Sequence, residues 1–249
     1  MQPSASLSIS NVRCVARRNR NFCELFRSSN IRVTISPVKY QVFDLAPSKD
    51  KEIQKMYEQA MKELNKFFEI RWERNRPSIV IAPTRAALDK IVGKETPNWW
   101  IGMKLMGSPV VVLLAYETAL KEKGNNIHTE KNFYQLIKHE LCHCFTNIVA
   151  GSFHPRWISE GVSLYAANQL SNYQKPEGFE GFFDDKDKNL YQESGYAVEL
   201  LVNSYGKQKL IDFLRLLKTK KAPMAFKEVY GISLEYKAFN DLIPEIKKA

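Results

Sequence analysis

Long apolar runs are missing from this chain. The longest, Val110–Ala115, falls far short of the roughly 20 residues that a membrane-spanning helix needs, so no membrane span is expected. The first thirty residues hold no continuous apolar stretch behind a positive start, so the pattern of a secretory signal is missing too. Cysteine is scarce. Cys14, Cys23, Cys142 and Cys144 are too few for a disulfide scaffold, and the last two sit too near each other in sequence to bridge without distortion. Free thiols suit a reducing compartment, and the chain reads as cytoplasmic. Eleven glycines and eleven prolines exclude a collagen-like or low-complexity chain. What remains, 249 residues at 44% hydrophobic and 26% charged, is enough to bury a sizeable core.

The net charge of +10 suggests a nucleic-acid partner until it is located. Residues 1–36 contain six arginines and a single acid, Glu24, and so carry +5; the other 213 residues share the remaining +5. No nucleic-acid motif accompanies either the head or the Lys218–Lys221 run, so both read as solvated surface rather than as a binding face. The head, rich in Ser and Arg and without apolar period, is expected to be a disordered extension; its composition also resembles a transit segment.

Residues 37–249 read as one α+β domain: a small mixed sheet with helices over 37–149, then a helical part over 150–249, with the active-site cleft between them. Apolar spacing predicts a helix from Ser48 to about Arg71, a strand over Ser78–Ala82, and a short helix from Thr84 to Val92. An ordered loop or hairpin is expected over Asn98–Gly107, and Val110–Ala115 is the most strand-like run. Then come a helix over Glu130–Val149 with a core stripe of Phe133, Ile137, Leu141, Phe145 and Ile148, and one from Pro155 to Leu170. A polar loop over Ser171–Asn189 precedes helices over Tyr191–Tyr205 and Gln208–Thr219 and a last one from near Ser233, broken at Pro244.

Chemistry concentrates in His139-Glu140-Leu141-Cys142-His143. Residues four apart on a helix stack on one face, so both imidazoles can reach one metal ion while Glu140 flanks it about 100° round. A catalytic zinc takes three protein ligands and keeps one position open. The metzincin extension would put Gly at 146 and His at 149; Thr146 and Val149 stand there instead. His154 is a possible third ligand, but it lies in a loop beside Pro155. Glu160 is better placed, early in the next helix, where Gly161 would let that helix approach the metal helix closely and Trp157 would pin the packing. Ligation by Cys142 or Cys144 is not expected, because two His and one Glu complete a hydrolytic shell for a single Zn2+.

Sixteen residues separate His143 from Glu160, and Pro155-Arg-Trp157-Ile158-Ser-Glu160-Gly161-Val-Ser163-Leu-Tyr165 meets every specified position of the pattern P-x-W-(L/I)-x-E-G-x-(A/S)-x-Y. In this the chain resembles the gluzincin zinc metallopeptidases of the peptidase MA-like group. The resemblance implies a thermolysin-like catalytic domain and a peptide or protein substrate. It implies Glu140 as general base and a tyrosine on the following helix as oxyanion donor, best matched by Tyr191 with Tyr196 as fallback. It also likens the Trp99–Gly102 stretch and the strand after it to the family's edge strand, so 110–115 would take up substrate backbone by strand addition; the other reading is an internal core strand. Gly102-Met103-Lys104 departs from the Gly-x-Met-Glu-Asn segment of gluzincin aminopeptidases, which points to an endopeptidase. The alternative is a zinc-binding but catalytically silent peptide- or protein-binding domain. The sequence names no substrate-binding residues.

Overall fold

Nine α-helices and a three-stranded sheet form among residues 47–246, the part of the chain that the computed structural model describes. The basic head and the expectation attached to it lie outside the described residues. The chain runs α1 (Pro47–Phe68), β1 (Ser78–Ala82), α2 (Arg85–Val92), β2 (Gly102–Lys104), β3 (Val110–Leu114) and the single turn α3 (Tyr116–Ala119). It continues through α4 (Glu130–Ala150), α5 (Arg156–Ala166), a 3-10 turn (Leu170–Asn172), α6 (Leu190–Tyr205), α7 (Lys207–Leu216), α8 (Ala222–Tyr230) and α9 (Tyr236–Ile246). No helix among them is long and apolar enough to cross a membrane.

Local chemistry sets several ends. The Thr84 hydroxyl accepts the Ala87 N–H to start α2, and Gly93 closes it in the left-handed region at φ 82°. Thr129 caps α4 the same way through the Asn132 N–H. Helix α5 stops at Ala166, four residues short of the predicted end, because Asn168 turns the chain at φ 57°. Helix α8, in a stretch for which the sequence reading assigned no element, starts with a proline in its first turn and ends on Gly231 at φ 76°. Helix α9 runs through Pro244 instead of breaking there; in the last turn a proline removes one backbone bond, and the helix ends two residues later.

The sheet order is β1-β3-β2, with β1 parallel and β2 antiparallel to β3. Strand β3 is therefore the central strand. Ser78–Ala82 pairs along one side of it and Gly102–Lys104 along the other, and Val111 through Leu114 are completely buried. A peptide cannot add to a strand whose two edges are already paired, so the expected strand addition at 110–115 is corrected: the run is a core strand, and β2 is the strand with an open edge on the side of α4. The pairing phase shows which groups face that edge. Leu105 N–H donates to Val110 and Leu114 N–H to Ile101, so residues 101, 103 and 105 bond inward while the backbone groups of Gly102 and Lys104 point outward.

Helix α4 is the axis of the fold, packing on α1, β2, α5 and α7, so that the sheet part and the helical part share one core. Of the predicted stripe, Phe133, Ile137, Leu141 and Phe145 are buried, but Ile148 is 39% exposed and Val149 is buried in its place. Burial extends well beyond a stripe, since Gln135, Lys138, His139, Glu140 and Thr146 are buried too. Gly161 serves a different neighbour from the one expected. A Cβ there would stand 2.4 Å from the Ser194 carbonyl oxygen, so this glycine seats α5 on α6 rather than on α4. Trp157 likewise packs edge-on against Phe182, Phe183 and Phe239.

Because the obstructing atom is backbone, Gly161→Ala must push the two helices apart. The expected cost is about 1–3 kcal/mol, read as a lower urea midpoint with unchanged slope. An unaltered midpoint would contradict this packing.

Candidate metal centre

Capped at Thr129 and held on all sides, α4 presents His139 and His143 one turn apart. Their Nε2 atoms lie 3.1 Å from each other, with the rings edge to face. Glu160, from the second turn of α5, brings Oε2 to 3.4 Å from His139 Nε2 and 3.6 Å from His143 Nε2. In a tetrahedral shell with bonds of about 2.0–2.1 Å, neighbouring ligand atoms stand about 3.3 Å apart. The three edges bracket that value, so the donor set and its spacing fit one metal ion.

The rings are held from behind. His139 Nδ1 donates to Gln169 Oε1 at 2.8 Å, and His143 Nδ1 is within 2.8 Å of Ser159 Oγ and 3.2 Å of Ser163 Oγ. These bonds leave Nε2 as the atom each ring offers to the centre. Ser159 and Ser163 lie on one face of α5, and Gln169 comes within reach because Asn168 turns the chain just after the helix. Serine at 159 and 163 has helical spacing, the one signal by which sequence reasoning would have found them.

Electrostatics sharpen the arrangement. Burial pushes His143 down to about 3, with the Glu160 charge opposing, so its imidazole stays neutral. Burial also pushes His139 down, but the Glu160 contact and the charges of Glu140 and Glu160 outweigh it and hold that ring above its ordinary value. Glu160 is raised by burial yet falls to about 2 through its contact with His139 and the charges of His143, His139 and Arg156. In acid, then, His139 carries a proton beside the Glu160 carboxylate, and a metal must displace it. Glu140 responds the other way: burial lifts it to about 7 against the His139 charge, with the Glu160 charge assisting and a hydrogen bond from the Lys104 backbone opposing.

His154, the competing third ligand, stands outside the group. Its Nδ1 donates to Gly151 O at 2.7 Å, within its own loop. Cys142 and Cys144 are free, buried and outside the group as well, and burial raises both thiols to about 12. Tyr191, in the first turn of α6, lies against the site: its hydroxyl accepts a hydrogen bond from Arg156 Nη2 at 2.8 Å, and the Arg156 Nε is 3.6 Å from Glu160 Oε1. Tyr196 does not reach the site. Its hydroxyl lies 3.2 Å from the Leu170 carbonyl and 3.0 Å from that of Tyr173, bracing the turn after α5. Tyr173 itself, in a segment without periodicity, is a neighbour that sequence reasoning missed; burial together with the charges of Tyr191 and Glu160 raises it to about 12.

No family model matches the chain, and no curated protein matches it.

Metal content read by mass spectrometry should give one ion per chain. It should be lost in His139→Ala, His143→Ala and Glu160→Ala, and kept in Glu140→Gln and His154→Ala. Because the raised His139 holds its proton below that raised pKa, affinity should fall about tenfold per unit as pH drops through it. Calorimetry in two buffers at pH 6 should then count about one proton released; none would refute a protonated His139 in the metal-free protein.

Proposed function

We propose that this chain is a zinc-dependent peptidase, acting within chains rather than on free amino termini. The observation carrying this reading is the convergence of His139, His143 and Glu160 with an independent buried carboxylate, Glu140, set against the open edge of β2. A Cβ on Gly102 would meet Glu140 Cγ at 3.6 Å, an ordinary van der Waals contact, so the carboxylate side chain lies directly against this strand.

His139, His143 and Glu160 would hold the zinc, which when bound would supply Lewis acidity to a water and to the substrate carbonyl. The protein supplies the rest. Glu140 is free of the ligand set and has a raised affinity for protons, so it takes the proton from the attacking water and hands it to the leaving amine. Arg156 donates to the Tyr191 oxygen, which leaves the tyrosine proton free to donate to the tetrahedral oxyanion. The outward backbone groups of Gly102 and the outward carbonyl of Lys104 bind an extended peptide as an added strand, while the Lys104 N–H holds Glu140. Gly102-Met103-Lys104 lacks the acid that gluzincin aminopeptidases carry in their Gly-x-Met-Glu-Asn segment for the substrate amine, which favours internal cleavage. The free thiols Cys142 and Cys144 fit a cytosolic setting.

A mixed peptide library incubated with zinc-loaded protein and followed by mass spectrometry should yield internal cuts. Glu140→Gln should keep zinc and lower the rate by about 10²–10⁴. Tyr191→Phe should lower kcat by about 10²–10³ with little change in KM. Absence of cuts in the parent would favour a silent peptide-binding domain.

A further inference from the structure

The cations around the centre are not equally engaged. Arg156 is spoken for by Glu160, the Tyr191 hydroxyl and the Asp185 carbonyl. Lys104 is not. It is half-buried, forms no ion pair among the described residues, and spends one donor on the adjacent Leu105 carbonyl at 3.2 Å. An ammonium has three donors, and a partly desolvated cation without a counter-charge is costly.

Strand geometry gives the direction of that side chain. A Cβ on Gly102 would point at Leu113 and Glu140, so this face of β2 looks towards α4. Side chains two apart share a face, which places Lys104 on the same side, over the metal helix. The outward backbone groups of Lys104 border the path of a peptide lying on the edge of β2.

We propose that Lys104 is the subsite for a substrate carboxylate, so that the favoured substrates carry a negative charge close to the bond to be cut. This rests on the peptidase reading of the site. The carboxylate is either the peptide's own C-terminus, which would move the cut to the carboxyl end of the substrate, or an Asp or Glu side chain, which keeps it internal; both present the same oxygens to the ammonium.

Binding without turnover tests it. Three matched series of blocked peptides are titrated calorimetrically into zinc-loaded protein in the Glu140→Gln background, and again into metal-free protein. They are neutral amides, the same peptides with a free C-terminus, and amides with Glu replacing Gln at each position. Zinc itself attracts carboxylates, so the reading is the charged-to-neutral affinity ratio with Lys104 against that with Lys104→Met. The ratio should be about tenfold larger with Lys104, be kept in Lys104→Arg, and shrink between low and high salt. Preference for the free C-terminus assigns the first source, and preference for Glu over Gln the second. A Lys104 protein that binds no charged peptide more tightly than its neutral match, or a Lys104→Met protein that keeps the preference, overturns the proposal. A charge preference in a parent that cuts nothing would overturn the peptidase reading alone.

Discussion

Desolvation of the polar side chains on α4 is the constraint that the rest of the structure answers. A helix buried around most of its girth cannot leave such groups unpartnered, and α4 buries a lysine, a glutamine, a threonine, a histidine and a glutamate. Each partner comes from somewhere different. Lys138 pairs with Glu63 of α1, and the Glu63 carboxyl is held low by that partner although burial alone would raise it. Gln135 donates to the Asn168 carbonyl, His139 bonds to Gln169, and His143 faces two serines of α5. Thr146 turns back to the Cys142 carbonyl of its own helix. Satisfying one helix thus fixes α1, α5 and the turn after α5 around it, and the same bonds aim the imidazoles.

A second buried carboxylate organises the opposite flank. Glu193 of α6 accepts the backbone N–H groups of Glu180, Gly181 and Phe182 on a single oxygen. Asn240 of α9 holds Phe179 by both its N–H and its carbonyl. Between these clamps the rings of Phe179, Phe182, Phe183 and Phe239 close around Trp157 and one another. A segment that reads as polar, Gly- and Asp-rich linker is therefore anchored from below. From it the Asp185 carbonyl reaches Arg156, the residue that joins Tyr191 to Glu160.

The contrast between what the sequence disclosed and what it withheld follows the range of the interactions. His139, Glu140 and His143 are legible because helical repeat alone sets their relation, and Glu160 because a short loop leaves the next helix few places to go. The coarse α+β character was legible from apolar period. The centrality of β3 was not: five consecutive apolar residues look alike whether a strand has one neighbour or two. Nor was the partner of Gly161, since a glycine advertises close approach without naming what approaches. Tyr191 and Tyr196 both sit on α6, and only the position of the turn after α5 separates a residue at the site from a brace.

The contact between Gly102 and Glu140 has a mechanical consequence. Glu140 rests on the strand whose outward groups would carry the peptide, so base and substrate track belong to one rigid piece, α4 with the sheet. Glu160, Arg156 and Tyr191 belong to another, α5 with α6, joined face to face at Gly161 and Ser194. In the proposed peptidase the alignment of base and peptide would therefore be set on the sheet side, while one of the three metal ligands would be delivered from the other.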